Sequence, residues 1–212
     1  MNNTSQSHLF WGREAPLAAL SGGGLIIIAS VRLAYALVTV GALLWVYNLS
    51  VLIFQVTKQR FFPEKGKNLC QIFLTTFTAS LYLLVLWLLS PLTALEVFFI
   101  VSLVPLFCVA SGIFVRLESF DLSDAVTRAF AEAAVFGAVI ILFSIVREPL
   151  GYLSLSLPGG VQGIFLVFSS AKESFLPIRI MAGSSGALLL LGYGAGLYRY
   201  FRKMNAPREI DE

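Results

Sequence analysis

Apolar stretches long enough to cross a lipid bilayer constrain this 212-residue chain more than any other feature. A helix needs about 20 apolar residues to span a hydrocarbon core of roughly 30 Å. Four stretches meet that length plainly: Leu33–Val56, Leu69–Leu89, Ala125–Val146 and Phe175–Phe201. Two more are apolar but interrupted: Leu17–Val31, by Gly22, Gly23 and Gly24, and Leu95–Val115, by Pro105, Ser111 and Gly112. The pattern predicts six membrane segments.

The composition excludes the common soluble classes. Hydrophobic residues make up 58% of the chain and charged residues 13%, against roughly 45–50% and about 25% in soluble domains. Too few charges remain to cover a water-soluble globule, which argues against a soluble enzyme, a disordered chain and a disulfide-stapled secreted domain. Cys70 and Cys108 lie in apolar surroundings and need not pair. We expect the polar opening, Met1–Pro16, to be a leader rather than a signal peptide.

The expected fold is an all-α integral membrane protein in which two inverted three-helix repeats supply the six transmembrane segments. Backbone groups in lipid must be satisfied internally, so glycines or a proline within a span indicate a broken helix buried against protein. Val31-Arg32-Leu33 and Val115-Arg116-Leu117 end segments one and four, each just before a long helix. Since each half has three segments, the halves would enter from opposite faces, with segments one and four as broken half-helices near the midplane.

The expected boundaries follow from these segments. Residues 1–15 form the polar leader, 16–204 a single six-helix membrane domain, and 205–212 a charged tail. Repeat one covers 16–92 and repeat two covers 93–204. Most of the 15 Lys and Arg residues fall on the side that holds both termini. The positive-inside rule therefore predicts a multi-pass protein of the cell inner (cytoplasmic) membrane with both termini cytoplasmic.

The residues needed by soluble catalytic sites are missing. The single histidine, His8, lies in the leader, so a Ser-His-Asp triad or a histidine metal site lacks its parts. No glycine has the spacing of a phosphate-binding loop, and the membrane context of Gly22–Gly24 favours close helix contact or a broken helix instead. Nothing in the sequence indicates nucleic acid as a partner.

Charged residues near segment ends have a general and a specific interpretation. In the general interpretation, each side chain snorkels to the membrane interface or pairs with a nearby charge. This interpretation applies to each of Arg32, Glu96, Arg116, Glu118, Asp121, Arg147 and Glu148. Arg32 and Arg116 each follow a broken helix, so they could hold an anionic group, a lipid headgroup or helix carbonyls. Further structural expectations are the pairs Asp124–Arg128 and Arg128–Glu132, and Asp121 or Ser123 as a helix N-cap.

The segment after the fifth helix has its own signals. Pro149 disfavours helical geometry at Glu148, and Gly151 permits positive φ, so the helix is expected to stop there. Leu153–Gly160 alternates and predicts a short extended segment, and Phe165–Phe168 is expected to dip back into the interface. A loop of this length is expected either to cover the bundle or to contact a neighbouring subunit.

Two motifs resemble those of the Rnf/Nqr family of membrane subunits, in the branch that contains NqrD and RnfE. Val104-Pro105-Leu106, followed by Arg116-Leu117-Glu118-Ser119-Phe120, is similar to the family's Pro-Leu-Ile-Val-Thr-Asn-Cys run and its Arg-x-Glu-x-Phe. Arg147-Glu148-Pro149-Leu150-Gly151, with Leu155 after it, is similar to the family's Arg-Glu-x-Leu-Gly. The resemblance implies a six-helix subunit that packs face to face with a paralogous subunit across a pseudo-twofold axis.

The family's best-known chemistry is an intramembrane [2Fe–2S] cluster held by four cysteines from the broken helices. Its cysteine positions fall here on Ser111 and on or beside Gly23, and neither residue supplies a thiolate. Cys108 lies three residues from Ser111 and is a weak candidate ligand. The resemblance therefore implies a divergent member that binds no cofactor by itself, with [2Fe–2S] or flavin in partner subunits.

Three functions remain open at this point. The first is a membrane subunit of an Rnf/Nqr-like ion-translocating electron-transfer complex, together with flavin- and NADH-binding subunits and a paralogous six-helix subunit or a second copy. Such a chain is at most a non-catalytic subunit of an NADH- or ferredoxin-linked oxidoreductase. The second is a small secondary transporter or permease component acting as a dimer. The third is an assembly or scaffold protein.

Overall fold

The computed structural model describes residues 20–61, 66–159, 163–169 and 178–205. These residues are mostly helical. The helices are α1 (Leu20–Ala29), α2 (Leu33–Phe61), α3 (Lys67–Leu89), α4 (Pro91–Ser102), α5 (Val104–Ala110), α6 (Ile113–Leu117), α7 (Leu122–Tyr152), α8 (Arg179–Ala182) and α9 (Ser184–Asn205). The strands are β1 (Ser154–Pro158) and β2 (Ile164–Ser169). The predicted leader and most of the predicted C-terminal tail lie outside the described residues.

Four helical stretches are long and apolar enough to cross a membrane, which indicates a helical membrane protein. They are Leu33–Thr57, Asn68–Leu89, Pro91–Ala110 and Leu122–Tyr152. Large apolar side chains are exposed along α3 and α4, as expected for surfaces that face lipid: Leu69, Phe73, Leu88, Leu95, Phe98 and Phe99.

The structure describes the last predicted span, Phe175–Phe201, only in part. Helix α9 covers 22 residues after the chain leaves helical geometry at Gly183, and its apolar stretch is Ser184–Leu197. That apolar stretch alone is about 21 Å long at 1.5 Å per residue, which is less than the hydrocarbon core. Six crossings and the inverted repeat stay predictions.

The first segment is interrupted, but not at the glycines. Gly22, Gly23 and Gly24 lie inside α1, which continues to Ala29, and the chain turns at 30–32. A Cβ at Gly23 or Gly24 would meet nothing within 4 Å, so these two glycines make no close helix contact either. Glycine costs a helix about 1 kcal/mol relative to alanine. Leaving its backbone groups unbonded in an apolar environment costs more, so the helix persists.

The fourth segment is interrupted where the sequence predicts it. The helix stops at Leu103 between α4 and α5, and Pro105 occupies the first turn of α5, where its missing N–H leaves no acceptor unpaired. The second interruption is at Ser111 and Gly112, and Gly112 has φ of +68°, a conformation that glycine adopts at little cost.

Helix α7 continues past the predicted stop at Glu148. Pro149 lies inside the helix, which ends when Leu153 adopts φ of 50° and donates its N–H to the Pro149 carbonyl at 3.0 Å. Contacts with α8 hold this last turn in place, since Ile178 N–H donates to the Leu150 carbonyl at 3.0 Å. Gly151 does not have positive φ. The position requires glycine because a Cβ at residue 151 would lie 2.8 Å from the Ala182 nitrogen.

The predicted extended segment is a strand of an antiparallel hairpin. β1 pairs with β2, Leu157 lies opposite Phe165, and the register shifts between Leu155 and Ser156. β2 contains the predicted interfacial stretch Phe165–Phe168. β1 packs against α2 and α7, so the hairpin covers one end of these two helices.

Small residues allow α7 to pack closely within the bundle. Ala125, Ala129, Ala133 and Gly137 recur every four residues on one face and are all buried. Gly137 lies against Val40 of α2, and a Cβ at this glycine would stand 2.7 Å from Val40 Cγ1. Small residues are typical of helix contacts in membranes, where backbones approach closely.

We expect Gly137→Ala to lower the free energy of unfolding by about 1–3 kcal/mol, because the stiff β-branched Val40 must move to admit a methyl group. Gly24→Ala is the matched control. It adds the same methyl group in open space within a helix, so it should be neutral or stabilise by up to about 1 kcal/mol. Thermal unfolding in detergent micelles, followed by circular dichroism, compares the two. Equal effects would contradict the close contact.

Candidate functional site

Two consecutive charged residues of α7 lie inside the protein. Arg147 is 1% exposed and Glu148 is 0% exposed. The expectation that they snorkel to the interface is therefore wrong. Desolvating an ion costs several kcal/mol unless good partners surround it, so the partners of these two side chains define the site.

The Arg147 guanidinium binds the C-terminal ends of two helices. Nη1 donates to the Ile27 carbonyl of α1 at 2.6 Å and to Ser30 Oγ at 3.1 Å. The end of α8 accepts the other three hydrogen bonds, at Met181 O (2.8 Å), Ala182 O (3.0 Å) and Gly183 O (2.9 Å). A guanidinium has five N–H donors, so all of its donors are used. A cation at a helix C-terminus also interacts favourably with the helix dipole.

Glu148 binds the start of the next helix. Its Oε2 accepts the N–H of Leu33, the first residue of α2, at 2.7 Å. The following amide, Ala34 N–H, donates to Ser156 Oγ of the hairpin at 3.4 Å. The first amides of a helix have no partner within it. Arg147 and Glu148 together thus cap both sides of the α1–α2 turn, the cation at the end of α1 and the anion at the start of α2.

The interruption after α5 is stabilised by different residues. Tyr47 of α2 donates its hydroxyl to Ser111 Oγ at 3.1 Å, and Ser111 Oγ donates to the Cys108 carbonyl at 2.8 Å. Arg116 Nη1 donates to the Ser111 carbonyl, and Arg116 Nη2 pairs with Glu132 at 2.6 Å. Arg116 therefore binds a backbone carbonyl at the break, which is one of the roles expected for it.

The two interruptions have features in common. Ala29 and Ala110 are the last residues of their helices, and each is followed by a buried serine, Ser30 or Ser111. An arginine binds the backbone carbonyls at each break. The arginines do not follow the Val-Arg-Leu match, because Arg116 belongs to it while Arg147, not Arg32, binds the carbonyl at the first break.

The positions at which the Rnf/Nqr resemblance predicts cluster ligands offer little sulfur. α1, which carries Gly23, packs against α5, which carries Cys108. Cys108 is fully buried, and the Ser111 hydroxyl is engaged as both donor and acceptor. Across residues 20–61, 66–159, 163–169 and 178–205, no three His, Cys, Asp or Glu side chains are grouped so that they could hold a metal ion.

Of the other predicted charged residues, Arg32 lies within the α1–α2 turn itself. The Arg32 guanidinium stands 5.5 Å from the centre of the Tyr152 ring. Glu96 and Glu118 are exposed. Arg32 thus contacts an aromatic ring rather than the carbonyls of α1, which Arg147 binds instead.

The predicted ion pairs on α7 are wrong. Arg128 lies 4.2 Å above the Phe120 ring, and Glu132 pairs with Arg116 rather than with Arg128. Asp121 occupies the N-cap position of α7 as expected, but its side chain makes no capping hydrogen bond.

Sequence reasoning missed three hydroxyl residues of the site: Ser30, Tyr47 and Ser156. Their signal was a hydroxyl group within an otherwise apolar stretch. That signal is weak, because such groups commonly bond within their own helix, as Thr39 Oγ1 does with the Tyr35 carbonyl at 2.7 Å.

Comparison with known proteins identifies no family: no family model matches the sequence, and no curated protein matches it.

Arg147→Lys should destabilise the protein by about 2–4 kcal/mol. Lysine keeps the charge but has three donors, so at least two of the five acceptors, four carbonyls and the Ser30 hydroxyl, lose their partners. Arg128→Lys is the matched control and should change stability by less than about 0.5 kcal/mol, because Arg128 makes its cation–π contact at the surface. Thermal unfolding in detergent measures both variants. A loss for Arg147→Lys no greater than that of the control would show that the five hydrogen bonds do not stabilise the fold.

Proposed function

We propose that this chain is a membrane subunit of an Rnf/Nqr-like complex that couples electron transfer to ion translocation, and that it holds no iron–sulfur cluster itself. One observation carries the proposal. Arg147 and Glu148, the first residues of the motif that resembles the family's Arg-Glu-x-Leu-Gly, are buried and cap both sides of the α1–α2 turn. The motif thus has a physical task at a helix interruption within a membrane bundle, where transport sites are commonly built.

The cluster positions support the second half of the proposal. Iron in such clusters takes thiolate ligands. Ser111 is hydrogen-bonded to Tyr47 and to the Cys108 carbonyl, and Gly23 has no ligand atom. In this proposal the chain is a divergent partner that shapes the ion or electron path, while flavin or [2Fe–2S] groups belong to other subunits.

The proposal includes an arrangement in the membrane. Six segments form two inverted repeats in the cell inner membrane, and both termini are cytoplasmic. The partner across the pseudo-twofold axis is a paralogous six-helix subunit or a second copy of the chain. Interrupted helices in the first half (α1–α2) and the second half (α4–α5–α6) support the repeat.

Affinity purification of the tagged chain from its native membrane in mild detergent tests the complex. We expect flavin- and NADH-binding subunits and a six-helix paralogue to co-purify. Recovery of the intact chain alone, or with only a second copy of itself, would contradict a redox complex.

Iron analysis and electron paramagnetic resonance test the cluster. The isolated chain should contain well below one cluster per chain, and Cys108→Ser should leave any signal of the complex unchanged, because one cysteine cannot supply a cluster's ligands. Cys70→Ser is the matched control. A signal from the isolated chain that Cys108→Ser abolishes and Cys70→Ser does not would overturn the assignment.

A small secondary transporter acting as a dimer is the second candidate. It is favoured by the interruptions of the helices at 30–32 and 111–112, because broken helices commonly form substrate sites. Substrate-dependent thermal stabilisation of the purified chain, without a redox partner, would support this function over the first.

A further inference from the structure

Three side chains near the α1–α2 turn carry hydrogen-bond donors that are available to a ligand. They are Arg32, which directly precedes α2, Tyr35 in the first turn of α2, and Tyr152, the last residue of α7. None of them donates a side-chain hydrogen bond to a residue that the structure describes, and none forms an ion pair there. A guanidinium has five N–H donors and a phenol has one O–H donor. We call these three residues the donor cluster.

Contacts place the donor cluster together. The Arg32 guanidinium lies 5.5 Å from the centre of the Tyr152 ring. Tyr35 is three positions after Arg32, which makes the two residues neighbours on one turn of helix, and Tyr35 interacts electrostatically with both Arg32 and Tyr152. The face of an aromatic ring attracts a cation but is only a weak acceptor, so the guanidinium N–H groups remain available for an anion.

A carboxylate stands beside the donor cluster. Glu96 of α4 also interacts electrostatically with Tyr35. It is exposed and forms no ion pair with any residue in the described part of the chain. Arg147 and Glu148 of α7 are buried and carry opposite charges, so they add little net charge here. The site therefore presents one cation and one anion that do not neutralise each other.

The donor cluster lies where two candidate spans end. Leu33–Thr57 begins directly after Arg32, and Leu122–Tyr152 ends at the tyrosine itself. Tyrosine and arginine side chains are typical of the membrane interface, where lipid headgroups lie. Headgroups are therefore the nearest ligands for the unpaired donors and for the Glu96 carboxylate.

The hairpin beside the cluster exposes apolar side chains on both faces. Phe165, Leu166 and Val167 of β2 are 60%, 50% and 52% exposed. Successive residues of a strand point to opposite faces, so neither face of β2 is polar along this stretch. An antiparallel sheet that meets water has a polar outer face. The hairpin therefore fits an apolar surrounding.

This apolar surface continues onto α4. Gly163, which precedes β2, lies against Leu92, since a Cβ at this glycine would stand 3.5 Å from Leu92 Cβ. Leu92 and Leu95 are 52% and 61% exposed and belong to the candidate span Pro91–Ala110. Continuity with a surface that faces lipid favours acyl chains as the occupant of the hairpin surface.

The charges restrict which lipid fits. A lipid phosphate accepts hydrogen bonds from guanidinium and phenol groups, and a primary ammonium donates to a carboxylate. A phosphoethanolamine headgroup carries both groups and is complementary to Arg32 and Glu96 at once. A choline headgroup has no N–H donor, and a glycerol headgroup has no positive charge.

We propose that Arg32, Tyr35, Tyr152 and Glu96 bind the headgroup of one phosphatidylethanolamine molecule, whose acyl chains lie against the β1–β2 hairpin and α4. The donor cluster binds the phosphate, and the Glu96 carboxylate binds the ammonium. The site goes beyond the proposed function, because it belongs to the chain itself and needs no redox partner.

Thermal unfolding of the purified full chain in mild detergent, with added dioleoyl phosphatidylethanolamine, tests the site. We expect a saturable rise in Tm of roughly 5 °C at about 100 times the half-saturating concentration. Dioleoyl phosphatidylcholine and dioleoyl phosphatidylglycerol have the same chains and should need at least about threefold more lipid, the scale of one exposed ion pair. Equal responses to the three lipids would overturn the proposal.

Soluble phosphoethanolamine separates the headgroup from the acyl chains. It should give no rise in Tm over the same concentration range, because burial of the chains supplies most of the affinity. A rise equal to that of the lipid would show that a free phosphate compound occupies the site, and it would overturn the lipid as ligand.

Two charge variants assign the headgroup. Arg32→Gln should raise the half-saturating concentration of phosphatidylethanolamine about fivefold, the scale of one arginine near anionic lipid. Glu96→Gln should raise it about threefold, yet lower the value for phosphatidylglycerol, because a carboxylate that repels phosphate is removed. An effect of Glu96→Gln with the same sign on both lipids would overturn its role. Arg128→Gln is the matched control and should change neither value, since Arg128 lies over Phe120, a ring without a hydroxyl, near the other end of α7.

Tyrosine variants test the hydroxyl groups while retaining both rings. Tyr35→Phe and Tyr152→Phe should each raise the half-saturating concentration of phosphatidylethanolamine by about twofold to tenfold, the scale of one hydrogen bond. If neither variant has an effect, the phosphate is held by charge alone and the donor cluster is wrong.

A hairpin variant tests the acyl chains. Phe165→Ser should weaken the response to phosphatidylethanolamine, and Phe130→Ser, at an exposed position of α7, is the matched control and should not. A chain that is dimeric in detergent, and that Phe165→Ser makes monomeric without changing the lipid response, would show that a second copy covers the hairpin. That result would overturn the lipid contact.

Discussion

Backbone polar groups in the interior of a membrane protein cannot turn to water when a helix ends. Each interruption of a helix leaves amides and carbonyls that the protein must satisfy by itself. This chain has such interruptions at residues 30–32, at Leu103 and at 111–112. Two buried charged residues of α7 meet the demand at 30–32, since Arg147 binds the ends of α1 and α8 while Glu148 binds the beginning of α2.

This arrangement explains why buried charges are tolerated here. Desolvation of an arginine or a glutamate costs several kcal/mol, and hydrogen bonds must offset that cost. Arg147 uses every donor that it has. Glu148 satisfies one oxygen and retains the other unpaired. The two neighbouring charges thus differ, since every donor of Arg147 is paired while one buried oxygen of Glu148 has no partner among the described residues.

Much of the helical fold could be predicted from the sequence, because a helix that spans a bilayer must be apolar over about 20 residues. Three of the four candidate spans match predicted segments, and Pro105 and Gly112 mark the interruptions of the fourth segment, where a missing donor and a positive φ have local causes. The glycine triplet was a wrong signal because an apolar environment keeps its backbone groups bonded within α1, and Pro149 was a wrong signal because contacts with α8 hold the last turn of α7.

The candidate site was less predictable for a related reason. Arg147 and Glu148 stood out as ionisable residues at a segment end, and their burial depends on helices that are distant in sequence. No periodicity or spacing reveals Ser30 as a partner, and the alternation around Ser156 predicts a strand but not the amide that Ser156 binds. A local sequence pattern indicates which polar groups need hydrogen-bond partners. Only the packed structure shows which residues are those partners.

The α1–α2 turn is completed by residues that the ribosome makes much later. Leu33 and its acceptor Glu148 are 115 positions apart, and Ala34 and its acceptor Ser156 are 122 apart. At a translation rate of about 5–20 residues per second, the first helices wait roughly 10 seconds for these acceptors. During synthesis the turn therefore lacks these two acceptors until most of the chain has been made.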